Sequence, residues 1–198
     1  MNSKNYYIPL NLPNISDELK LQEDIERFLT FNNMIWFTLG GHAIPNTAID
    51  FFKKLGLTAS KEKSILYIQE AQERHKIHMD SDNSLTDEHD TKYFRNFAVN
   101  WVWGGKTIME WYNFRGKYKP YKEKLYDQSY LWVYNEDCRL LFKDELQGAN
   151  LVNLDKYHTV YNNSPYTRYC LSVAPEENIT YEEMAELCAR KKGLIREI

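Results

Sequence analysis

The sequence has few cysteines, and the three that it has, Cys138, Cys170 and Cys188, lie far apart. Such a set predicts neither a disulfide framework nor a zinc site built from Cys-x-x-Cys pairs. The first residues lack the basic segment and apolar run of a signal peptide. No apolar run in the sequence approaches the length of a membrane span. We therefore expect a cytoplasmic protein that does not contact a membrane.

The sequence also lacks a concentration of basic residues. Its 25 Lys and Arg are outnumbered by 28 Asp and Glu, which leaves a net charge of -3. The densest basic cluster is 190–192, at the end of a predicted helix, where cations complement the helix dipole. Because a nucleic-acid footprint needs a broad basic face, nucleic acid is not an expected partner. The Lys- and Tyr-rich segment 118–126 is predicted to be a solvated loop.

Aromatic residues, in contrast, are abundant: they make up 15% of the chain, with 15 Tyr and 5 Trp. Aromatic side chains favour strands and the walls of ligand pockets. A length of 198 residues, 43% of them hydrophobic, is typical of one domain with a packed core. We therefore expect a single domain, residues 1–198, that is rich in strands and has a binding site.

Three helices are predicted from periodicity and capping residues. Ser16 is a predicted N-cap for a helix over about 17–30, and a second helix spans 46–55 and is closed by Gly56. Thr180 and Glu183 form a capping box that opens a helix over roughly 181–192. The first 60 or so residues are therefore predicted to be mainly helical, and a helix is predicted near the C-terminus.

Between about residue 64 and residue 175 the pattern changes to short β-branched and aromatic runs separated by turn residues. Gly104-Gly105 and the segment 162–165 are each predicted to be a tight turn between paired strands. Short strands without intervening helices favour a sandwich or barrel over a parallel α/β sheet. The predicted fold is mainly β with flanking helices, and specifically a double-stranded β-helix (jelly roll).

The candidate metal ligands are His78, Asp80 and His158. His78 and Asp80 are two residues apart, so on a strand both side chains point to one face. This pair alone arises easily by chance, and its ordinary interpretation is a strand-end His followed by a turn Asp. His158 lies on a predicted strand, and Arg168 follows ten residues later. Two His and one carboxylate form the facial triad of non-haem Fe(II) oxygenases, and an Arg binds a carboxylate bidentately.

The distal segment "YHTVYNNSPYTRYCLSV" resembles the His-x-Val-x-Asn-x-Ser and Arg-x-x-Leu pattern of the aspartyl/asparaginyl β-hydroxylase-like branch of the 2-oxoglutarate/Fe(II)-dependent dioxygenases. The stretch "FAVNWVWGGKTIMEWYNF" is similar to the strand pair of bacterial and phage members. The resemblance covers about residues 75–175, and the first 60 residues match no family that we can name.

This resemblance implies a hydroxylase of an amino acid, a peptidyl side chain or another small substrate. His78, Asp80 and His158 would bind Fe(II), and Arg168 would bind the distal carboxylate of 2-oxoglutarate, the cosubstrate that reacts with O2 to give succinate and CO2. Some members lack the carboxylate ligand, whereas this chain has Asp80. Ser172 is a candidate cosubstrate contact, although it lies further from the Arg than the Arg-x-Ser spacing of other branches.

Further candidates surround this set. Asn100 and Trp111 are candidate cosubstrate contacts from the strands, although large aromatic residues more often belong to the core. His75 is predicted to face away from the ligands, and Asp82 is an alternative to Asp80. The polar run over 81–92 is predicted to be a loop at the entrance of the site.

Two other functions stay open on the sequence. One is a non-catalytic jelly-roll binding or virion-associated module that has kept the fold. The other is a cupin-like metalloenzyme that does not use 2-oxoglutarate, although cupins usually cluster further His or Glu ligands than this sequence offers. The oligomeric state is also left open by the sequence.

Overall fold

The structure, a computed structural model, describes residues 3–16, 18, 36–38, 44–80, 95–116, 121–125, 128–133 and 135–197. Within these ranges ten strands form one sheet in which every pairing is antiparallel, with two flanking α-helices. The strands are β1 (Tyr7–Pro9), β2 (Trp36–Thr38), β3 (Ile65–Gln69), β4 (His78–Met79), β5 (Phe97–Phe114), β6 (Tyr121–Leu125), β7 (Gln128–Trp132), β8 (Cys138–Asn153), β9 (His158–Asn162) and β10 (Arg168–Val173). The helices are α1 (Asn46–Lys54) and α2 (Tyr181–Ala189), and 3-10 turns cover Ser3–Asn5 and Asn135–Asp137. The prediction of a mainly β chain with few helices is confirmed.

The two longest strands, β5 and β8, pair along their length and organise the sheet. Their register shifts between Val102 and Thr107, so each strand has two halves. The first half of β5 pairs with β10, which is followed by β3 and β2, while β1 pairs with the end of β8. The second half of β5 pairs with β9, which is followed by β4, β7 and β6. We call these halves, with their neighbouring strands, the first wing and the second wing.

The larger hydrophobic cluster lies between the helices and one face of the first wing. Strand side chains such as Leu66, Trp101 and Leu171 pack there with Phe52 of α1 and Met184 of α2, and all five are buried. A smaller cluster joins the start of the chain to the second wing; its buried members are Tyr6, Tyr7, Ala98, Met109, Trp111, Leu146, Val152 and Leu154. Hydrophobic burial of this kind is the main stabilising contribution to the fold.

The opposite face of the first wing is polar although it is buried. Because side chains alternate along a strand, the neighbours of the residues packed on the helices point to the other side. Five polar side chains there have at most 8% of their surface exposed: Gln69, Asn100, Asn150, Arg168 and Ser172. We call this set the polar inner face. Buried polar groups need hydrogen-bond partners, so such a face indicates a binding site more than a core.

The predicted hairpin turn at Gly104-Gly105 is wrong, because β5 continues through both residues. The two glycines instead allow the segment 163–167 to lie against the strand. A Cβ on Gly104, whose φ is +81°, would lie 2.4 Å from the Thr167 carbonyl oxygen, and a Cβ on Gly105 would lie 2.5 Å from Asn162 Oδ1. Two glycines resembled a turn in the sequence, but here they permit close backbone approach at the register shift of β5.

The turn predicted at 162–165 does not reverse the chain. Both β9 and β10 pair antiparallel with β5, β9 with its second half and β10 with its first. They therefore run in the same direction, and 163–167 is an excursion between them. The Asn162 amide holds the excursion by donating to the carbonyls of Glu70 (2.9 Å) and Tyr166 (2.7 Å). His158 and Arg168 thus lie on different wings.

The helix predictions are confirmed for α1 and for α2, whose capping box between Thr180 and Glu183 is present. Helix α2 ends at Ala189, before the predicted residue 192, and the predicted helix over 17–30 lies outside the described residues, apart from residue 18. The mainly helical start is wrong in part, because β1 belongs to the sheet. The predicted loop over 118–126 contains strand β6. Across the described part of the chain, no helix reaches the length and apolar character that crossing a membrane requires.

We predict that Gly105→Ala destabilises the protein by roughly 3 kcal/mol, because the added Cβ meets a backbone carbonyl and two hydrogen-bonded side chains that have no room to move. Gly56→Ala is the control: it forces an Ala into positive φ, which Gly105→Ala does not, but its Cβ meets nothing within 4 Å, so only about 1 kcal/mol of strain is expected. Urea unfolding measures both. A loss for Gly105→Ala no larger than the control's would contradict the close approach.

Candidate metal centre

Three buried side chains converge at the start of β4 and β9. His78 and His158 are direct partners across this strand pair, and their ring centroids are 4.5 Å apart. Asp80 lies in the bend that follows β4, where its backbone N–H faces the Leu154 carbonyl at 3.4 Å. One potential ligand atom from each of the three lies within 4.8 Å of the others. The structure therefore brings together the three residues that the sequence predicts as ligands.

Both imidazoles aim the same nitrogen at one carboxylate oxygen. His78 Nε2 lies 3.3 Å from Asp80 Oδ1, and His158 Nε2 lies 3.7 Å from the same atom. All three side chains are at least 93% buried. A single ion placed among these atoms would have two nitrogen ligands and one oxygen ligand, all from one side.

The other nitrogen of each ring fixes its orientation and its tautomer. His78 Nδ1 is 2.9 Å from the Lys76 carbonyl oxygen, and His158 Nδ1 is 2.8 Å from the Lys156 carbonyl oxygen. A carbonyl only accepts, so each Nδ1 carries the hydrogen, and in the neutral ring Nε2 keeps its lone pair. Both histidines use a carbonyl two residues earlier, which is the outer-shell contact typical of metal-binding His.

The charge states of the centre suit a cation. Burial by itself raises the pKa of Asp80, but the two imidazoles next to it outweigh that effect and lower this pKa to about 2. Burial, followed by the charge of His78, lowers the pKa of His158 to about 4. At neutral pH the centre therefore holds an ionised carboxylate and, at His158, a neutral imidazole. Asp80 Oδ1 is buried and accepts no hydrogen bond from any described residue.

These donors fit a divalent transition metal such as Fe(II). Two imidazole nitrogens and one carboxylate oxygen are the ligand set of the facial triad, which leaves coordination positions open for other molecules. The unpartnered buried oxygen of Asp80 is the atom that such an ion would satisfy. No family model matches the sequence, and the search of curated proteins finds no match to it. The donor set and its geometry are therefore the evidence that this centre could hold a metal ion.

Arg168 lies on the polar inner face, 97% buried. Its Nε donates to Thr107 Oγ1 and its Nη1 to Gln69 Oε1, the latter at 3.4 Å. These two contacts hold the side chain, and the buried thiol of Cys170 on the same strand is a further hydrogen-bond partner. Among the described residues Arg168 forms no ion pair, and burial lowers its pKa. A buried cation held by neutral groups is suited to bind an anion from outside the chain.

Of the three candidate cosubstrate contacts, two lie on the same face as Arg168 and the third packs in a hydrophobic cluster. Asn100 and Ser172 are direct partners across β5 and β10, on the same face as Arg168. Trp111 is opposite His158 in the register, but its indole N–H donates to the Asn153 carbonyl, at 3.3 Å, and its ring packs in the smaller hydrophobic cluster. Its one polar donor is thus already used, so Trp111 supports the floor of the site.

His75 is closer to the centre than the sequence suggested. Its backbone N–H donates to the Val160 carbonyl at 3.0 Å, which joins it to β9. Burial, followed by the charges of His78 and Arg168, lowers the pKa of His75 to about 3. His75 therefore lies within electrostatic reach of both the triad and Arg168, although it is outside the group of ligand atoms. The predicted alternative Asp82, and the predicted entrance loop over 81–92, lie outside the described residues.

The sequence did not identify Arg95, which is 99% buried. Arg95 Nη2 donates to Ser172 Oγ, and Nη1 reaches Tyr67 Oη at 3.5 Å. Its charge also helps to lower the pKa of Asp80 and of His158. The one sequence feature that could have indicated Arg95 is its position, since it is a single Arg between a polar run and the strand that begins at Phe97. An Arg at such a boundary is usually exposed.

We predict that the protein binds Co(II), a spectroscopic substitute for Fe(II), and that Asp80→Ala or His158→Ala weakens binding at least about 100-fold, because losing a ligand costs more than losing an outer partner. His75→Gln is the matched control, since it changes a neighbouring His outside the ligand group. Titration of the Co(II) absorption bands gives the affinities. Equal affinity in wild type and Asp80→Ala would show that the metal binds elsewhere.

We predict that the metal-free protein loses stability as pH falls from 6.5 towards 4. In this window unfolded His158 takes up a proton near its ordinary pKa of 6.5, while folded His158 stays neutral down to about 4. The unfolded state is thereby favoured by up to about 3 kcal/mol.

His158→Asn is the comparison for this pH effect, because its amide can still donate to the Lys156 carbonyl but does not titrate. Urea unfolding at pH 7, 6, 5 and 4 would measure the difference between the two proteins. Parallel curves for wild type and variant would contradict the buried, neutral state of His158.

Proposed function

We propose that this protein is a 2-oxoglutarate- and Fe(II)-dependent oxygenase that hydroxylates an amino acid, a peptidyl side chain or another small substrate. The observation that carries this proposal is the buried facial triad, His78, Asp80 and His158, together with Arg168, a buried cation that forms no ion pair with the described residues. The triad suits Fe(II) with open positions, and the arginine suits the distal carboxylate of a cosubstrate. The sequence resemblance to the aspartyl/asparaginyl β-hydroxylase-like branch supports the same assignment.

The arrangement of the strands supports a double-stranded jelly roll as the specific fold. In such a fold two antiparallel layers face each other and share long strands. Strands β5 and β8 contribute one half to each wing here, and β9 and β10 continue from one wing to the other. The triad lies on the second wing and Arg168 on the first, so a ligand between the wings contacts both.

The chain's own residues have separate roles in this proposal. The Nδ1 contacts with the carbonyls of Lys76 and Lys156 aim both His Nε2 atoms at the metal position. Thr107 and Gln69 hold the guanidinium of Arg168 on the polar inner face, where it would bind the distal carboxylate of the cosubstrate. Because these groups are already in place, little ordering is needed when the ligands bind.

Bound Fe(II), with 2-oxoglutarate as its chelating ligand, supplies the O2-dependent oxidation that is coupled to release of succinate and CO2. His78, Asp80 and His158 would hold the ion at a position largely shielded from bulk water, since all three side chains are almost fully buried. Asp80 stays ionised at all physiological pH values, because the neighbouring imidazoles keep its pKa at about 2. The negative charge that the metal needs is therefore permanent.

We predict that the Fe(II)-loaded protein converts 2-oxoglutarate to succinate, and that Arg168→Gln weakens 2-oxoglutarate binding roughly 100-fold while metal affinity stays the same. The loss is expected because the carboxylate loses its charged, bidentate partner. Arg74→Gln is the matched control, since this Arg is about half exposed and pairs with Glu110. Calorimetry on the Mn(II)-loaded protein gives the affinities, and succinate assays give the turnover.

The alternatives give different results in these assays. A cupin-like metalloenzyme would bind the metal but would bind 2-oxoglutarate only weakly. Arg168→Gln would then not weaken the binding of 2-oxoglutarate any further. A non-catalytic jelly-roll module would bind no Fe(II) at the triad. Either result would reject the oxygenase proposal.

A further inference from the structure

The polar inner face contains a second group of buried polar side chains, beyond those that hold Arg168. Ser172, Asn100 and Asn150 are direct partners in register across β10, β5 and β8. Arg95 joins them through its hydrogen bond to Ser172 Oγ. None of the four has more than 8% of its surface exposed. We call these four residues the amide corner.

The two amides of the corner have acceptors that the described residues do not fill. Asn150 Nδ2 donates to the carbonyls of Gln147 (3.2 Å) and Gly148 (3.1 Å), and these contacts fix which way the amide points. Its Oδ1 is buried and accepts no hydrogen bond from the described residues, and the same holds for Asn100 Oδ1. Buried amide oxygens are nearly always hydrogen-bonded. Two such oxygens on neighbouring strands therefore indicate a ligand with several N–H donors.

Arg95 adds a positive charge to the corner, where the two amides offer acceptor oxygens. Its guanidinium is held against Ser172 Oγ and Tyr67 Oη, where its positive charge is suited to a carboxylate. Ser172 lies on the same strand face as Arg168, and Asn100 lies on β5, whose second half pairs with the strand that carries His158. The corner is therefore on the same sheet as the triad and on the same face as Arg168.

The amide corner is too far from Arg168 for one 2-oxoglutarate molecule to occupy both. Ser172 follows Arg168 by four residues on the same strand face, which is about 13 Å along the strand. The five-carbon chain of 2-oxoglutarate spans only about 5 Å between its carboxyl carbons, from C–C bonds of about 1.5 Å. A cosubstrate held between the metal and Arg168 thus leaves the corner for a different molecule.

We propose that the amide corner binds a free α-amino acid, with its carboxylate on Arg95 and Ser172 and its ammonium group on the Asn100 and Asn150 amide oxygens. In an α-amino acid the two charged groups are attached to one carbon, and the side chains of Ser172 and Asn100 are cross-strand neighbours with Cβ atoms about 5 Å apart. The inference rests on the proposed function, because it makes this amino acid the substrate whose side chain faces the metal.

Calorimetry on the Mn(II)-loaded protein, saturated with 2-oxoglutarate and kept free of O2, tests the inference with the twenty free L-amino acids as probes. At least one is expected to bind, and its N-acetyl and C-amide forms are each expected to bind at least ten times more weakly. Both charged ends are needed because each has its own partners. Failure of all twenty, or equal binding of the capped forms, would overturn the inference.

Asn100→Leu tests the amide corner with a variant that is expected to fold. The side chain of Asn100 makes no hydrogen bond with the described residues. Replacing this amide by an apolar group of similar size is therefore expected to raise the Tm, since a buried, unpaired polar group is removed. The variant should bind the amino acid at least ten times more weakly while its 2-oxoglutarate and Mn(II) affinities stay within about threefold. Asn113→Leu, an exposed position on the same strand β5, is the matched control and should change none of these values.

Undiminished amino-acid binding by Asn100→Leu would also overturn the inference. Arg95→Gln provides a second variant, with the same expected loss of amino-acid binding and retained metal binding. Wild type that binds 2-oxoglutarate but no amino acid rejects only the amide corner. Wild type that does not bind 2-oxoglutarate rejects the proposed function instead.

Discussion

The carboxylate of Asp80, buried between two imidazole nitrogens, is the interaction on which the organisation of the site depends. A carboxylate without charged or hydrogen-bonding partners would not stay ionised at this depth, because burial alone raises its pKa. His78 and His158 reverse that effect, and they do so only because β4 and β9 pair in the register that makes them neighbours. The Nδ1 contacts to the carbonyls of Lys76 and Lys156 then keep the rings in place.

The site also needs a buried cation on the same sheet as this centre, and the long strand β5 provides the connection. Its first half pairs with the strand that carries Arg168, and its second half pairs with the strand that carries His158. The register shift around Gly104 and Gly105 divides the two halves, and their missing side chains let the 163–167 excursion lie against the strand. One strand thus connects the strand that carries His158 with the strand that carries Arg168.

The polar inner face explains why the first wing has opposite properties on its two sides. One side buries Leu66, Trp101 and Leu171 under the helices and stabilises the fold. The other buries three amides, a hydroxyl and Arg168. Among them, the Oδ1 atoms of Asn100 and Asn150 accept no hydrogen bond from the described residues, and such atoms lower stability unless a ligand or water satisfies them. Proteins keep such costly groups where binding requires them. In our proposal the triad, Arg168 and the amide corner each bind a different ligand: a metal, a diacid and a substrate.

The sequence by itself determined the chemistry of individual residues, namely His-x-Asp at 78–80, His158 and Arg168. It also determined the capping box of the last helix and the strand patterns that predict a mainly β chain. These signals are local, since they depend on residue type, spacing and alternation. Only the tertiary structure decided that Gly104-Gly105 continues a strand, that 162–165 does not reverse the chain, and that Arg95 is buried beside Ser172. Each of these depends on which strands pair over long sequence separations, and local patterns do not specify that pairing.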